Sequence, residues 1–189
     1  MALLVLGVAL WLVVHSLPIW APARRDRLRG RMGEKPWKGA FSVVSLLTIV
    51  LIVIGWNAAD PAAVAYWAPA WGVHVNNLLM LLAVGAFGLG HSKAYPRRWV
   101  RNPQLTAVLL WGVAHLFANG EWRSIVLFGG FALWGALGIL GTNRRDGPWT
   151  PPEALSAKRT AIWAAVTVAV FIVLVVIHPW LFGAWPLPG

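Results

Sequence analysis

RNPQLTAVLLWGVAHLFANGEWRSIVL, Arg101 to Leu127, sets a histidine, an asparagine, a glutamate and an arginine within or beside an apolar helical pattern. Polar groups are costly among apolar neighbours, and inside a bilayer they usually have a job. The reading of this stretch therefore turns on whether its surroundings are membrane. The 189 residues are 59% hydrophobic and 12% charged, with a mean hydropathy of +0.67. A soluble domain carries about twice that share of charge. The chain reads as an all-α, polytopic membrane helix bundle.

Working outward from the opening stretch, the apolar runs predict six transmembrane helices: 2–20, 39–56, 74–91, 104–118, 122–141 and 160–182. Most approach the ~20 residues that cross a ~30 Å hydrocarbon core. The fourth is short, about 22 Å at 1.5 Å per residue. The first lacks the basic leader and small-residue cleavage site of a signal peptide and is expected to be retained. No linker or internal repeat divides the helices, so one domain over 1–189 is expected.

The net charge of +10 raises nucleic acid as a partner, but the distribution of the charge excludes it. Of 16 Lys and Arg, seven lie in Arg24–Lys38, four in Lys93–Arg101 and four in Arg144–Arg159, leaving only Arg123 elsewhere. These segments alternate with nearly charge-free ones, as the positive-inside rule asks of cytoplasmic loops. Both termini then lie on the outer, periplasmic side, and the partner is the lipid bilayer. The basic loop Ala21–Lys38 is suited to anionic headgroups. Tyr66, Trp67 and Trp71 in the second outer segment read as an aromatic belt at headgroup level.

Small residues mark the expected contacts. Ser42, Ser45 and Thr48 give the second helix a narrow polar face. Gly85, Gly88 and Gly90 end the third, and Gly135, Gly138 and Gly141 recur every third residue in the fifth. Such positions let helix backbones approach closely in a membrane.

The chemistry is narrowly bounded. There is no cysteine, which removes disulfides, thiolate metal sites and thiol nucleophiles. No Asp, Glu, Lys or Arg falls in the middle of a predicted helix, which counts against pumps and ion-coupled transporters. There is no phosphate-binding glycine loop and no HExxH zinc motif. Enzyme chemistry would need an external cofactor to supply the reactivity.

Histidine is the remaining candidate. A neutral imidazole serves as a ligand for haem iron or as a proton shuttle. His74 and His91 lie at helix ends, where water or headgroups satisfy them, and His178, before Pro179, is similar. His15 and His115 are placed more deeply, as ligands or catalytic groups or as packed core residues. Trp11 precedes His15 by four residues and Trp111 precedes His115 by four, so each Trp shares a helical face with its His and is positioned to wall a flat apolar ligand. Asn119 follows His115 by four and is expected to orient the ring through its second nitrogen. Measured from Trp20 and Gln104 as the cytoplasmic boundary, His15 stands about 8 Å deep and His115 about 16 Å deep. By depth alone, His115 pairs better with His74 or His178 in an outer layer.

The segment LWGVAHLFANGE (Leu110 to Glu121), followed by VLFGGF (Val126 to Phe131), resembles the NnrU family of bacterial membrane proteins, which is similar in turn to 15-cis-zeta-carotene isomerase. LGVALWLVVHSLP (Leu6 to Pro18) and MGEKPWKGAFSVVSL (Met32 to Leu46) resemble that family's first helix and its entry into the second. The resemblance implies a b-type haem held by bundle histidines, with His15 and His115 matching the motif positions. It also implies redox-linked isomerisation of an apolar substrate such as a carotenoid, or an accessory role in nitric oxide and nitrite reduction alongside other membrane proteins. The location implied is the bacterial inner membrane. The family's Arg-His-Pro turn is Arg101-Asn102-Pro103 here. That turn also resembles isoprenylcysteine carboxyl methyltransferases, which use S-adenosylmethionine, but Asn102 and the lack of a suitably placed cytoplasmic carboxylate count against this reading. A cofactor-free membrane scaffold or assembly protein is the alternative from a different class.

Overall fold

The computed structural model describes residues 1–153 and 155–188. They form α1 (Ala2–Trp20), α2 (Pro22–Met32), α3 (Glu34–Asn57), α4 (Gly72–Leu89), α5 (Pro103–Ala118), α6 (Trp122–Asp146) and α7 (Ala157–Phe182), with one 3-10 turn at Tyr95–Arg98. Among the described residues there is no strand, only an isolated antiparallel bridge between Val64 and Glu121. Five helices, α1, α3, α4, α6 and α7, are long and apolar enough to cross a membrane, and α5 is a shorter apolar helix of 16 residues. The chain is a multi-pass membrane bundle.

The helices pack side by side in the order α3, α1, α6, α5, α4, α7. Small residues set these contacts. A Cβ at Gly55 of α3 would stand 2.6 Å from Leu4 Cα, and one at Gly7 would stand 2.9 Å from Ile52 N, so α1 and α3 touch backbone to backbone. Thr48, on the same face of α3, is buried and returns its hydroxyl to Ser45 O at 2.7 Å. The glycine row of α6 behaves as its spacing predicts. Gly135 abuts Leu109 and Leu105 of α5, and Gly141 abuts Ile19 and Trp20 of α1. Gly85 and Gly88 of α4 receive the Trp163 ring from α7, whose Nε1 donates to Gly85 O at 2.9 Å.

One segment departs from its expected form. The basic stretch after α1 is helical, not a loop. Pro22 occupies the first turn of α2, where its missing N–H costs nothing, and PARRDRLRGRM contains no β-branched residue to oppose a helix. Gly33, at φ +83, ends it. Pro22 leaves a second mark: Pro18 O has no N–H four residues on to receive. Arg145 of α6 supplies the donor through Nη1 at 2.7 Å. Elsewhere the boundaries shift by a few residues. α3 begins at Glu34 in place of Gly39, and α6 runs on to Asp146.

Candidate functional site

The ANGE turn between α5 and α6 is fixed from outside. Gly120 O accepts from Ala65 N at 2.8 Å and from Tyr66 N at 3.2 Å, and Ala63 O accepts from Trp122 N at 3.0 Å. A Cβ at Gly120 would overlap the Tyr66 carbonyl, so the position requires glycine for close approach. The Tyr66 hydroxyl reaches the exposed end of α5, within bonding range of Leu116 O and of Asn119 O, the latter at 2.9 Å. Burial, and secondarily the Glu121 carboxylate, raise its pKa above the usual phenol value. Glu121 itself accepts from Ser124 Oγ at 2.7 Å and lies 4.0 Å from the Arg123 guanidinium, which also sits over the Trp56 ring at 4.5 Å. Trp67 and Trp71 are exposed as an aromatic belt requires. Tyr66 is a clamp instead.

Beyond the turn, Ile125–Gly129 winds as a π-helix. Such insertions re-aim side chains and often mark functional sites. This one turns Phe128 onto the face of His115, with centroids 4.4 Å apart and planes at 17°. Gly112 makes room for it: a Cβ there would stand 2.8 Å from Ala132 Cβ.

Each deep histidine has its Nδ1 on a carbonyl one turn back, His15 on Trp11 O and His115 on Trp111 O, both at 2.9 Å. A carbonyl only accepts, so Nδ1 carries the proton and Nε2 keeps its lone pair. Asn119 does not hold the His115 ring. Its amide donates to His115 O at 2.8 Å, the same carbonyl that accepts from Asn119 N at 2.9 Å where α5 ends.

The two tryptophans do not wall an open cavity. The Trp11 ring is stacked by His15 itself, at 3.7 Å and 10°, and edged by Trp134. Phe131 lies between Trp11 and Trp111, at 4.5 and 5.5 Å, so the two His-Trp pairs join through one run of aromatic rings. His15, half-buried, packs against Trp11, Phe41 and Trp134.

His115 instead shares a cavity with His178. Both line a cavity of about 260 Å³, together with Asn119, Asn76 of α4, and Trp185 and Pro186 from the segment after α7. Gly183, left-handed at φ +71, turns that segment back over the bundle. The His178 Nδ1 is satisfied by Ala184 O at 2.7 Å, and Asn77 Nδ2 donates to Pro186 O at 3.0 Å. His178 therefore also offers a free Nε2. Asn76 is buried with its Oδ1 unpaired. His74 is exposed and does not line the cavity. Of the other histidines, His178 lines the cavity with His115, while His74 and His15 do not. Asn76, Phe128 and the turned-back segment were not legible as site residues. Only the adjacent Asn76 and Asn77 at a helix start, and the FGG run, hint at them.

The Arg-His-Pro position is at the other end of α5. Asn102 Nδ2 donates to Asn143 Oδ1 at 2.7 Å, and Arg101 Nη1 donates to Gly147 O at 2.7 Å, tying α5 to the end of α6. Thirteen residues separate Asn102 from His115, about 20 Å along the helix. Whatever stands at position 102 belongs to a different place from the His115 cavity.

No curated protein and no solved structure matches the chain. The family description "NnrU protein" matches residues 3–186. That span takes in the ANGE turn, the FGG π-helix and the histidine helices α1, α5 and α7, and the chain belongs to the NnrU family.

Proposed function

We propose that this chain is a haem-b-binding protein of the bacterial inner membrane, with the iron held by His115 of α5 and His178 of α7. The observation that carries this reading is one cavity lined by two imidazoles, each with Nδ1 committed to a backbone carbonyl. A neutral ring with a fixed tautomer and a free Nε2 is the form that binds iron.

The donor set fits a haem, which two histidines would hold. Among the described residues no group of three His, Asp or Glu gathers to hold a bare metal ion. At about 260 Å³ the cavity is just under the ~300–1,000 Å³ of common ligand sites. A haem would need this cavity to widen, and its non-helical walls are Ala68–Ala70 and Ala184–Pro186.

A bound haem supplies an iron that changes redox state. The chain's own residues hold and shield it. Phe128 covers one face of His115, the Tyr66 clamp fixes the end of α5, and the unpaired Asn76 Oδ1 offers an acceptor to a ligand donor. The activity this arrangement supports is redox-linked isomerisation of an apolar substrate such as a carotenoid, or an accessory role in nitric oxide and nitrite reduction. Six spans with both termini outside complete the reading. α5, about 24 Å long, runs between the basic Arg101 segment and the Glu121 turn, antiparallel to both neighbours.

The test is a visible spectrum of the purified, haem-supplemented protein. A Soret band that shifts on dithionite reduction is expected. A well-folded preparation without one would sink the proposal.

A further inference from the structure

A second hollow shares no lining residue with the histidine cavity. It is a groove of about 390 Å³ between α1 and α6, bounded by Val13, Ser16, Leu17 and Trp20 of α1 and by Gly130 and Leu137 of α6. Its walls are apolar. The two polar groups along it, Ser16 Oγ and Trp134 Nε1, are bonded to each other at 3.0 Å and ask nothing of an occupant. From Leu12 to Ala21 the groove follows nine residues of α1, a rise of about 13 Å. That is close to half of a ~30 Å hydrocarbon core, the depth of one leaflet.

The groove ends where the basic charge begins. Ala21 O accepts from the backbone N–H groups of Arg24 and Arg25, which puts the first basic turn of α2 directly below Trp20 and Ala21. From the other wall, Arg144 and Arg145 follow Leu137 by two turns, and Arg145 reaches across to Pro18 O, next to the groove-lining Leu17. Arg25 and Arg145 are paired with Asp26 and Asp146. Arg24 and Arg144 are exposed and have no carboxylate partner among the described residues.

We propose that this groove is a site for one anionic glycerophospholipid of the basic-side leaflet. One acyl chain lies between α1 and α6, and the phosphate meets Arg24 and Arg144. The apolar length selects a chain of one leaflet, and the two unpaired guanidinium groups select a negative headgroup over a zwitterionic one.

Native mass spectrometry of the full chain in detergent tests the proposal, with phosphatidylglycerol and phosphatidylcholine of matched chains as probes. One retained phosphatidylglycerol per chain is expected, bound in clear preference to phosphatidylcholine. An arginine near an anionic surface contributes a factor of about five, so replacing Arg24 and Arg144 together with Gln should weaken retention about 25-fold. Val13→Trp, at a position that is 68% exposed, should fill the groove and remove the adduct while leaving the fold intact, and Leu133→Trp, on the α6 wall of the groove, provides a second filling variant. Equal retention of the two lipids would overturn the proposal. So would adducts that survive both the arginine and the groove-filling changes, or displacement of the lipid by a headgroup-free hydrocarbon of the same length.

Discussion

His115 of α5 and Phe128 of α6 lie nearly parallel, ring centroids 4.4 Å apart, because the helix carrying Phe128 winds as a π-helix at that point. The contact closes one face of the imidazole and leaves Nε2 for the cavity shared with His178. It also links the two motifs that identify the family, one on each side of the ANGE turn.

His115→Ala and His178→Ala should each abolish or strongly shift the Soret band. His15→Ala should leave the band in place, since that ring packs against Trp11, Phe41 and Trp134 and lines no part of the cavity. Absorbance of the three purified variants decides this. Loss of the band in His15→Ala alone would move the ligand to α1.

Asn102→His, which restores the Arg-His-Pro turn, should leave the spectrum unchanged because the position is about 20 Å from His115. It removes the hydrogen bond to Asn143, worth about 1 kcal/mol. Thermal unfolding in detergent should show a drop of a few degrees.

Tyr66→Phe deletes the hydroxyl that holds the end of α5 and should cost about 1 kcal/mol. The pH dependence carries a further signature. The folded-state pKa of Tyr66 is raised, first by burial and then by the Glu121 charge. Its contribution is therefore complete below the ordinary phenol value near 10 and is lost as pH rises through the folded value. Unfolding curves between about pH 9 and 12 should fall more steeply for the parent chain than for Tyr66→Phe.

Two glycine-to-alanine changes should act in opposite directions. A Cβ at Gly39, within α3, meets nothing within 4 Å, so Gly39→Ala should stabilise by about 0.5–1 kcal/mol through helix propensity. Gly120→Ala forces a Cβ into the Tyr66 carbonyl and should destabilise by about 1–3 kcal/mol. Paired thermal midpoints check both.

Much of the bundle was legible in the chain itself. Lipid tolerates only backbone that satisfies its own hydrogen bonds, so length and hydropathy locate the helices within a few residues. The spacing of Gly135, Gly138 and Gly141 foretold a close contact, because a three-residue repeat puts small side chains on one helical face. The carbonyl partners of His15 and His115 follow from the same periodicity, each lying one turn back. The basic segment Ala21–Lys38 reads as a loop on its charge alone, yet Pro22–Met32 is helical. Its lack of β-branched residues, with Pro22 at the first position, was the stronger signal.

Which histidines share a cavity was decided by tertiary structure alone. His115 and His178 are 63 residues apart; their shared cavity depends on α7 packing beyond α4, and the left-handed turn at Gly183 brings the following segment over it. Local periodicity contains neither. The same holds for Tyr66, whose aromatic ring marks an interface but whose hydroxyl finds α5 only because residues 63–66 pair with the ANGE turn. By itself the sequence determined the membrane-type helical bundle and the histidine helices, since these follow from composition and from contacts one turn away. The folded chain decided that Asn102 and His115 occupy opposite ends of α5's surroundings, and that the imidazole beside His115 comes from α7 and not from α1, because those outcomes rest on the order in which the helices pack.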